Sequence, residues 1–107
     1  MGIDMIHDEE VVFSKALADE TRQKIMGLAC CQWLSVNEIV AHLNVSQPTV
    51  SHHLAILRAA ELVEVRAEGK QTFYRLNEEK IVRCCGNLMI KFAPSHETTE
   101  TLKKCCL

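Results

Sequence analysis

Ser35-Val36-Asn37-Glu38-Ile39-Val40-Ala41-His42-Leu43-Asn44, continued by Val45-Ser46-Gln47-Pro48-Thr49-Val50-Ser51-His52-His53-Leu54, is the stretch that decides the fold. Ser35 and Glu38 form a capping box, in which a hydroxyl and a carboxylate each accept from a backbone N–H at a helix start, with Leu34 and Ile39 as a hydrophobic staple. Val36, Ile39, Val40 and Leu43 recur at helical spacing as far as Asn44, a residue type that tolerates left-handed backbone. Ser46 then caps a second helix, with Pro48 in the first turn, where its missing N–H is harmless, and a second staple from Val45 to Val50. This helix is expected from Gln47 to about Ala60, burying Val50, Leu54, Leu57 and Ile56. Two capped helices of roughly 8 and 14 residues joined by about 3 residues have the spacing of a helix-turn-helix.

Downstream the period changes. Leu62-Val63-Glu64-Val65-Arg66 and Gln71-Thr72-Phe73-Tyr74-Arg75-Leu76 are rich in strand formers, and the turn residue Gly69 lies between them, so residues 62–76 read as a β-hairpin. Residues 78–92 return to helical spacing through Ile81, Val82, Cys85, Leu88, Met89 and Phe92, and Pro94 stops them. Upstream, residues 11–17 suit a short apolar helix, and Asp19 caps a second one expected to reach about Cys31, with Ile25, Leu28 and Ala29 inward. The expected fold class is mainly α with a β-hairpin wing, a winged helix-turn-helix. One domain over 1–107 divides into the helix-turn-helix (35–60), the wing (62–76), a long helix (78–93) and a polar, flexible, cysteine-bearing tail (95–107).

The 107 residues, 48% hydrophobic and 24% charged with two prolines and four glycines, have the composition of one ordinary folded domain. A core this small gains from a partner surface, which favours self-association. The acidic Asp8-Glu9-Glu10 is unlike a secretory signal, no run approaches the roughly 20 apolar residues of a membrane span, and no lipidation motif is present. A cytoplasmic protein without a membrane partner is expected.

The net charge of -2 removes the usual electrostatic footprint of a nucleic-acid binder, so a DNA reading must rest on local features. Gln47, Thr49, Ser51 and His52 at the start of the second helix are short polar types suited to base edges in a major groove. Arg58, Arg66, Lys70 and Arg75 are candidates for phosphates. Three carboxylates, Glu61, Glu64 and Glu68, offset these cations, so helix N-terminal amides must supply part of the attraction. The plain alternative is a helical pair whose polar face meets only water.

Leu17-Ala18-Asp19-Glu20-Thr21-Arg22 with Ile25, and Ser46-Gln47-Pro48-Thr49-Val50-Ser51-His52-His53-Leu54, resemble the ArsR/SmtB family of metal-responsive repressors, as do Gly69-Lys70 and Phe73-Tyr74-Arg75-Leu76 in the wing. The resemblance covers roughly residues 13–92. It implies a non-enzymatic repressor that binds double-stranded operator DNA as a homodimer through its first and last helices and leaves the operator when an inducer binds. Two family metal sites find no match here. The Cys-x-Cys box would fall near Ile39 to His42, which hold no cysteine, and the Asp and His of the last-helix zinc site are replaced by Glu78 and Lys80, the latter unable to ligate when protonated.

What remains is thiols. The six cysteines fall in three adjacent pairs, Cys30-Cys31, Cys84-Cys85 and Cys105-Cys106, and a reducing compartment keeps them free. Thiolates suit As(III) or Sb(III) as inducer, with Cd, Pb or Zn as alternatives; no metal is required for folding. Adjacent helix residues do not face one another, so Cys84 and Cys85 need a further sulfur, which a tail bearing Cys105 and Cys106 could bring. Cys30 and Cys31 are the secondary ligand candidates. Cys85 lies on the apolar stripe with Leu88 and Met89 and also reads as core. His96 with Glu97 or Glu100 and Cys105 is a minor zinc alternative. The same vicinal thiols also suit oxidant or reactive-sulfur sensing. A cysteine enzyme and a pure interaction module are the remaining classes, the first weakened by the lack of any nucleophile elbow or phosphate loop.

Overall fold

The computed structural model describes residues 8–105. Six helices and three short strands follow one another as α1 (Glu9–Leu17), α2 (Glu20–Leu28), β1 (Leu34–Ser35), α3 (Val36–Leu43), α4 (Gln47–Ala59), β2 (Val63–Glu68), β3 (Gln71–Leu76), α5 (Glu78–Phe92) and α6 (Glu97–Cys105). The architecture is mainly helical with a β-hairpin, a winged helix-turn-helix.

Side-chain caps set the helix starts. Asp8 accepts from the amides of Glu10 and Val11 at α1, and Asp19 accepts from Arg22 at α2. At α3 the capping box is complete, Ser35 Oγ accepting from Glu38 N at 3.2 Å and Glu38 Oε1 accepting from Ser35 N at 2.8 Å. Asn44 ends α3 in the left-handed region at φ 57, and Ser46 caps α4. Gly69, at φ 62, makes the wing turn.

Phe13, Ile25, Ile39, Val50, Leu54, Leu57, Leu62 and Cys84 are buried together, so α1, α2, α3, α4, the base of β2 and α5 share one core. Burying these apolar side chains is the main favourable term holding the helices in register. No helix among the described residues is long and apolar enough to cross a membrane.

Four sequence expectations change. Residues 34–35 are not merely a staple and cap: they form β1, which pairs antiparallel with Phe73 and Tyr74 to give a sheet ordered β1-β3-β2. The second helix ends at Leu28 rather than Cys31, since residues 30–32 turn the chain toward β1. The tail is not simply extended and polar: Glu97–Cys105 is α6, acidic in its first turn and basic in its last, as the helix dipole favours. Finally, the single apolar stripe expected on α5 divides in two. Ile81, Cys84 and Leu88 face the core, whereas Val82, Cys85 and Phe92 are exposed. Cys84, not Cys85, is the core thiol.

Candidate nucleic-acid interface and thiol groups

The cap at Ser46 leaves the first turn of α4 projecting into solvent, because Val50, Leu54 and Leu57 hold only its opposite face. Gln47, Thr49, Ser51 and His52 are all exposed. Thr49 is already engaged, its Oγ1 lying 2.8 Å from Ser46 Oγ. Gln47 and Lys70 line one groove of about 270 Å³ between the α3 N-terminus and the hairpin, together with Ser35, Asn37 and Thr72. This places the wing-tip cation beside the recognition-helix start. Lys70 forms no ion pair among the described residues, and Arg58 is exposed near the far end of α4.

The other two wing cations sit differently. Arg66 pairs with Glu68 at 3.2 Å and Arg75 with Glu64 at 3.1 Å. Their guanidinium carbons also lie 4.6 Å and 4.7 Å from the centre of the Trp33 ring. In register, Glu64 is opposite Arg75 and Arg66 opposite Phe73, so the two arginines share one face of the hairpin. Trp33 therefore anchors the wing root through cation–π contact. The sequence reading gave it no such role, although the alternate spacing of Arg66 and Arg75 on adjoining strands was the available signal.

His53, expected on the DNA-facing segment, is half-buried behind it. Arg22 Nη1 donates to His53 Nδ1 at 3.1 Å, and Arg22 Nε donates to Ala16 O at 2.7 Å, tying α1, α2 and α4 together. Asp19 Oδ1 lies 4.0 Å from His53 Nε2, and the Arg22 amide hydrogen bond holds the Asp19 carboxyl below its ordinary range.

Lys80 replaces the metal ligand that the family resemblance would put near the start of the last helix, and its side chain is 8% exposed. Its Nζ lies 2.7 Å from Glu9 Oε2 and 3.1 Å from Glu61 Oε1. The Arg83 guanidinium and then the Lys80 ammonium hold the Glu9 carboxyl down at about 2, while Glu9 in turn raises Lys80. The network ties α5 to α1 and to the end of the recognition helix, where Glu61 is in the left-handed region at φ 62. A cation that pairs two carboxylates across three elements was not legible in the local pattern.

The thiols do not converge on one centre. Cys84 is buried, and burial pushes its thiol up, whereas Cys85 is exposed on the other side of α5. Cys105 ends α6, and Cys106 lies outside the described residues. His96 is exposed, its Nδ1 accepting from the Thr98 amide at 3.1 Å. Cys30 and Cys31, by contrast, meet at 2.9 Å between sulfurs. The contact with Cys30 raises the Cys31 thiol, aided by burial and by Glu78. Among the described residues no group of three or more His, Cys, Asp or Glu is placed to hold a metal ion.

Residues 19–65 match the profile of the bacterial regulatory protein arsR family. The biofilm growth-associated repressor of Agrobacterium fabrum is 37% identical over 89 residues, covering 83% of this chain and 76% of that protein. The chain belongs to the ArsR family. An arsenical resistance operon repressor of Staphylococcus aureus is 35% identical over 86 residues, covering 80% of this chain and 83% of its own. Among solved structures, an ArsR-like transcriptional regulator from Rhodococcus sp. RHA1 superposes with a TM-score of 0.75 at 26% identity, over 90% of this chain and 88% of that one. As an ArsR-family member the protein is a DNA-binding transcription regulator and not an enzyme.

Proposed function

We propose that the protein is a homodimeric repressor that reads a palindromic double-stranded operator and is released from it by a thiophilic ion. The observation that carries the DNA reading is the exposed, polar first turn of α4 with Lys70 beside Gln47. Gln47, Thr49, Ser51 and His52 meet base edges, and Arg58, Lys70, Arg66 and Arg75 meet phosphates, the last two with their charge partly offset by Glu68 and Glu64. The dimer forms through α1 and α5, a reading supported by the exposed Val11, Val82 and Phe92 on those helices. Its two recognition helices then sit about 34 Å apart, one turn of DNA. The regulator acts in the cytoplasm, where the thiols stay reduced.

The inducer in this reading is As(III) or Sb(III), with Cd, Pb or Zn as alternatives on the same sulfurs, supported by the three cysteine pairs and by likeness to an arsenical resistance repressor. The ligands come from Cys84, Cys85, Cys105 and Cys106, with Cys30 and Cys31 as a separate pair. Cys85 is the exposed member on α5, so it meets the ion before the buried Cys84. A coupling of about 1 to 3 kcal/mol between inducer and operator is the usual scale. The 2.9 Å sulfur contact at Cys30 and Cys31 favours a second reading, oxidation of vicinal thiols as the signal.

Fluorescence anisotropy on the upstream DNA, with fully reduced protein, separates these. Release by near-stoichiometric arsenite supports the first reading, and release by peroxide alone supports the second. Failure to bind any upstream fragment at low salt refutes the operator reading.

A further inference from the structure

The groove that holds Cys30 and Cys31 is lined also by Glu64, Arg75, Asn77 and Glu78 and encloses about 510 Å³. It lies where the end of α2, the root of the wing and the first turn of α5 meet, away from the groove shared by Gln47 and Lys70. We infer that Cys30 and Cys31 form a two-sulfur chelate for a trivalent arsenical that already carries one carbon substituent, R–As(OH)₂, with R lying in this groove. The inference rests on the reading of thiols as the inducer's ligands and names the pair and the form of arsenic.

Ligand count and direction decide the class. Two thiols stand side by side, one half-buried and one exposed, and no third donor is gathered with them among the described residues. Structural zinc takes four ligands in a tetrahedron, which this pair cannot supply. A linear two-coordinate ion needs its sulfurs on opposite sides, whereas these meet at 2.9 Å. Arsenite itself has three hydroxides to replace and would keep one unreplaced here. A monosubstituted arsenical is pyramidal, takes two sulfurs on one side, and fills its third position with carbon.

The step is a condensation. Two As–O bonds break and two As–S bonds form, and each thiol proton leaves with a hydroxide as water. Arsenic stays trivalent, so no oxidant or reductant is needed. The contact with Cys30 and the charge of Glu78, which keep Cys31 protonated, suit an exchange in which the proton departs with the leaving group. Arg75 links the groove to Trp33, the one tryptophan of the chain, so occupancy alters its fluorescence.

The test uses the reduced full-length chain and phenylarsine oxide, read by intact mass, Trp33 emission and anisotropy on DNA. One phenylarsenic per chain, with loss of two hydrogens, is expected in the wild type and in the Cys85→Ser/Cys105→Ser/Cys106→Ser variant. The adduct is expected to be lost in Cys30→Ser/Cys31→Ser, and desalting is expected to strip arsenite but not the phenyl compound. An adduct that persists without Cys30 and Cys31, or arsenite held as firmly as phenylarsine oxide, would overturn the inference. Circular dichroism of each variant checks that it is folded. An adduct on Cys30 and Cys31 that leaves DNA binding unchanged sustains the site and overturns the inducer reading instead.

Discussion

Removing Glu9 should destabilise the protein more than removing its buried partner Lys80, the reverse of what burial alone suggests. Lys80→Met strips two contacts from carboxylates that can rehydrate, since the Glu61 side chain is 75% exposed and Glu9 stays paired with Arg83 at 2.6 Å. Two largely solvated ion pairs are worth together about 1 kcal/mol. Glu9→Gln instead leaves the Lys80 ammonium in its buried position with only the exposed Glu61 for company. Lowering a carboxyl from 4.5 to about 2 corresponds to ~3 kcal/mol if fully realised, and solvent screening of Glu9, 36% exposed, reduces this to about 2 kcal/mol. Thermal unfolding at pH 7 and fixed protein concentration should show Tm falling by roughly 4 °C for Lys80→Met and roughly 8 °C for Glu9→Gln. The sign with pH follows from the depressed carboxyl. Glu9 contributes fully above its ordinary 4.5, and the contribution is lost as pH falls toward about 2, so the two curves should converge there. A larger loss in Lys80→Met, or a gap between wild type and Glu9→Gln that does not narrow in acid, refutes the reasoning.

Ser35→Ala removes one half of the capping box and should cost about 1 kcal/mol in urea unfolding. Asn44→Val puts a β-branched side chain at φ 57 and should cost about 1 to 2 kcal/mol, whereas Asn44→Gly should be close to neutral by the same assay. Lys70→Ala should weaken DNA binding alike on all sequences and reduce the salt slope by about 0.9, measured by anisotropy between 50 and 200 mM salt. Gln47→Ala should instead relax discrimination at one base position by about 1 to 3 kcal/mol, seen with single-base operator variants.

The sequence by itself determined the reading head. Ser35 with Glu38, Asn44, Ser46 with Pro48, and the change from helical to alternating spacing after Leu62 are local signals, because caps and turns are fixed by hydrogen bonds within a few residues. The family pattern sits on the same residues. Tertiary structure decided what depends on distant partners. It placed Leu34–Ser35 as a third strand, since pairing with Phe73 and Tyr74 is a long-range event. It split the α5 stripe so that Cys84 faces inward and Cys85 outward, because the direction of the core is set by where α1 docks and not by α5's own spacing. It stacked Arg66 and Arg75 on Trp33 and buried Lys80 between Glu9 and Glu61, contacts between residues remote in the chain. The thiol pairs show the same division: adjacency was legible in the sequence, but only folding made Cys30 and Cys31 neighbours in a groove and turned Cys84 away from Cys85, because side-chain direction is set by packing.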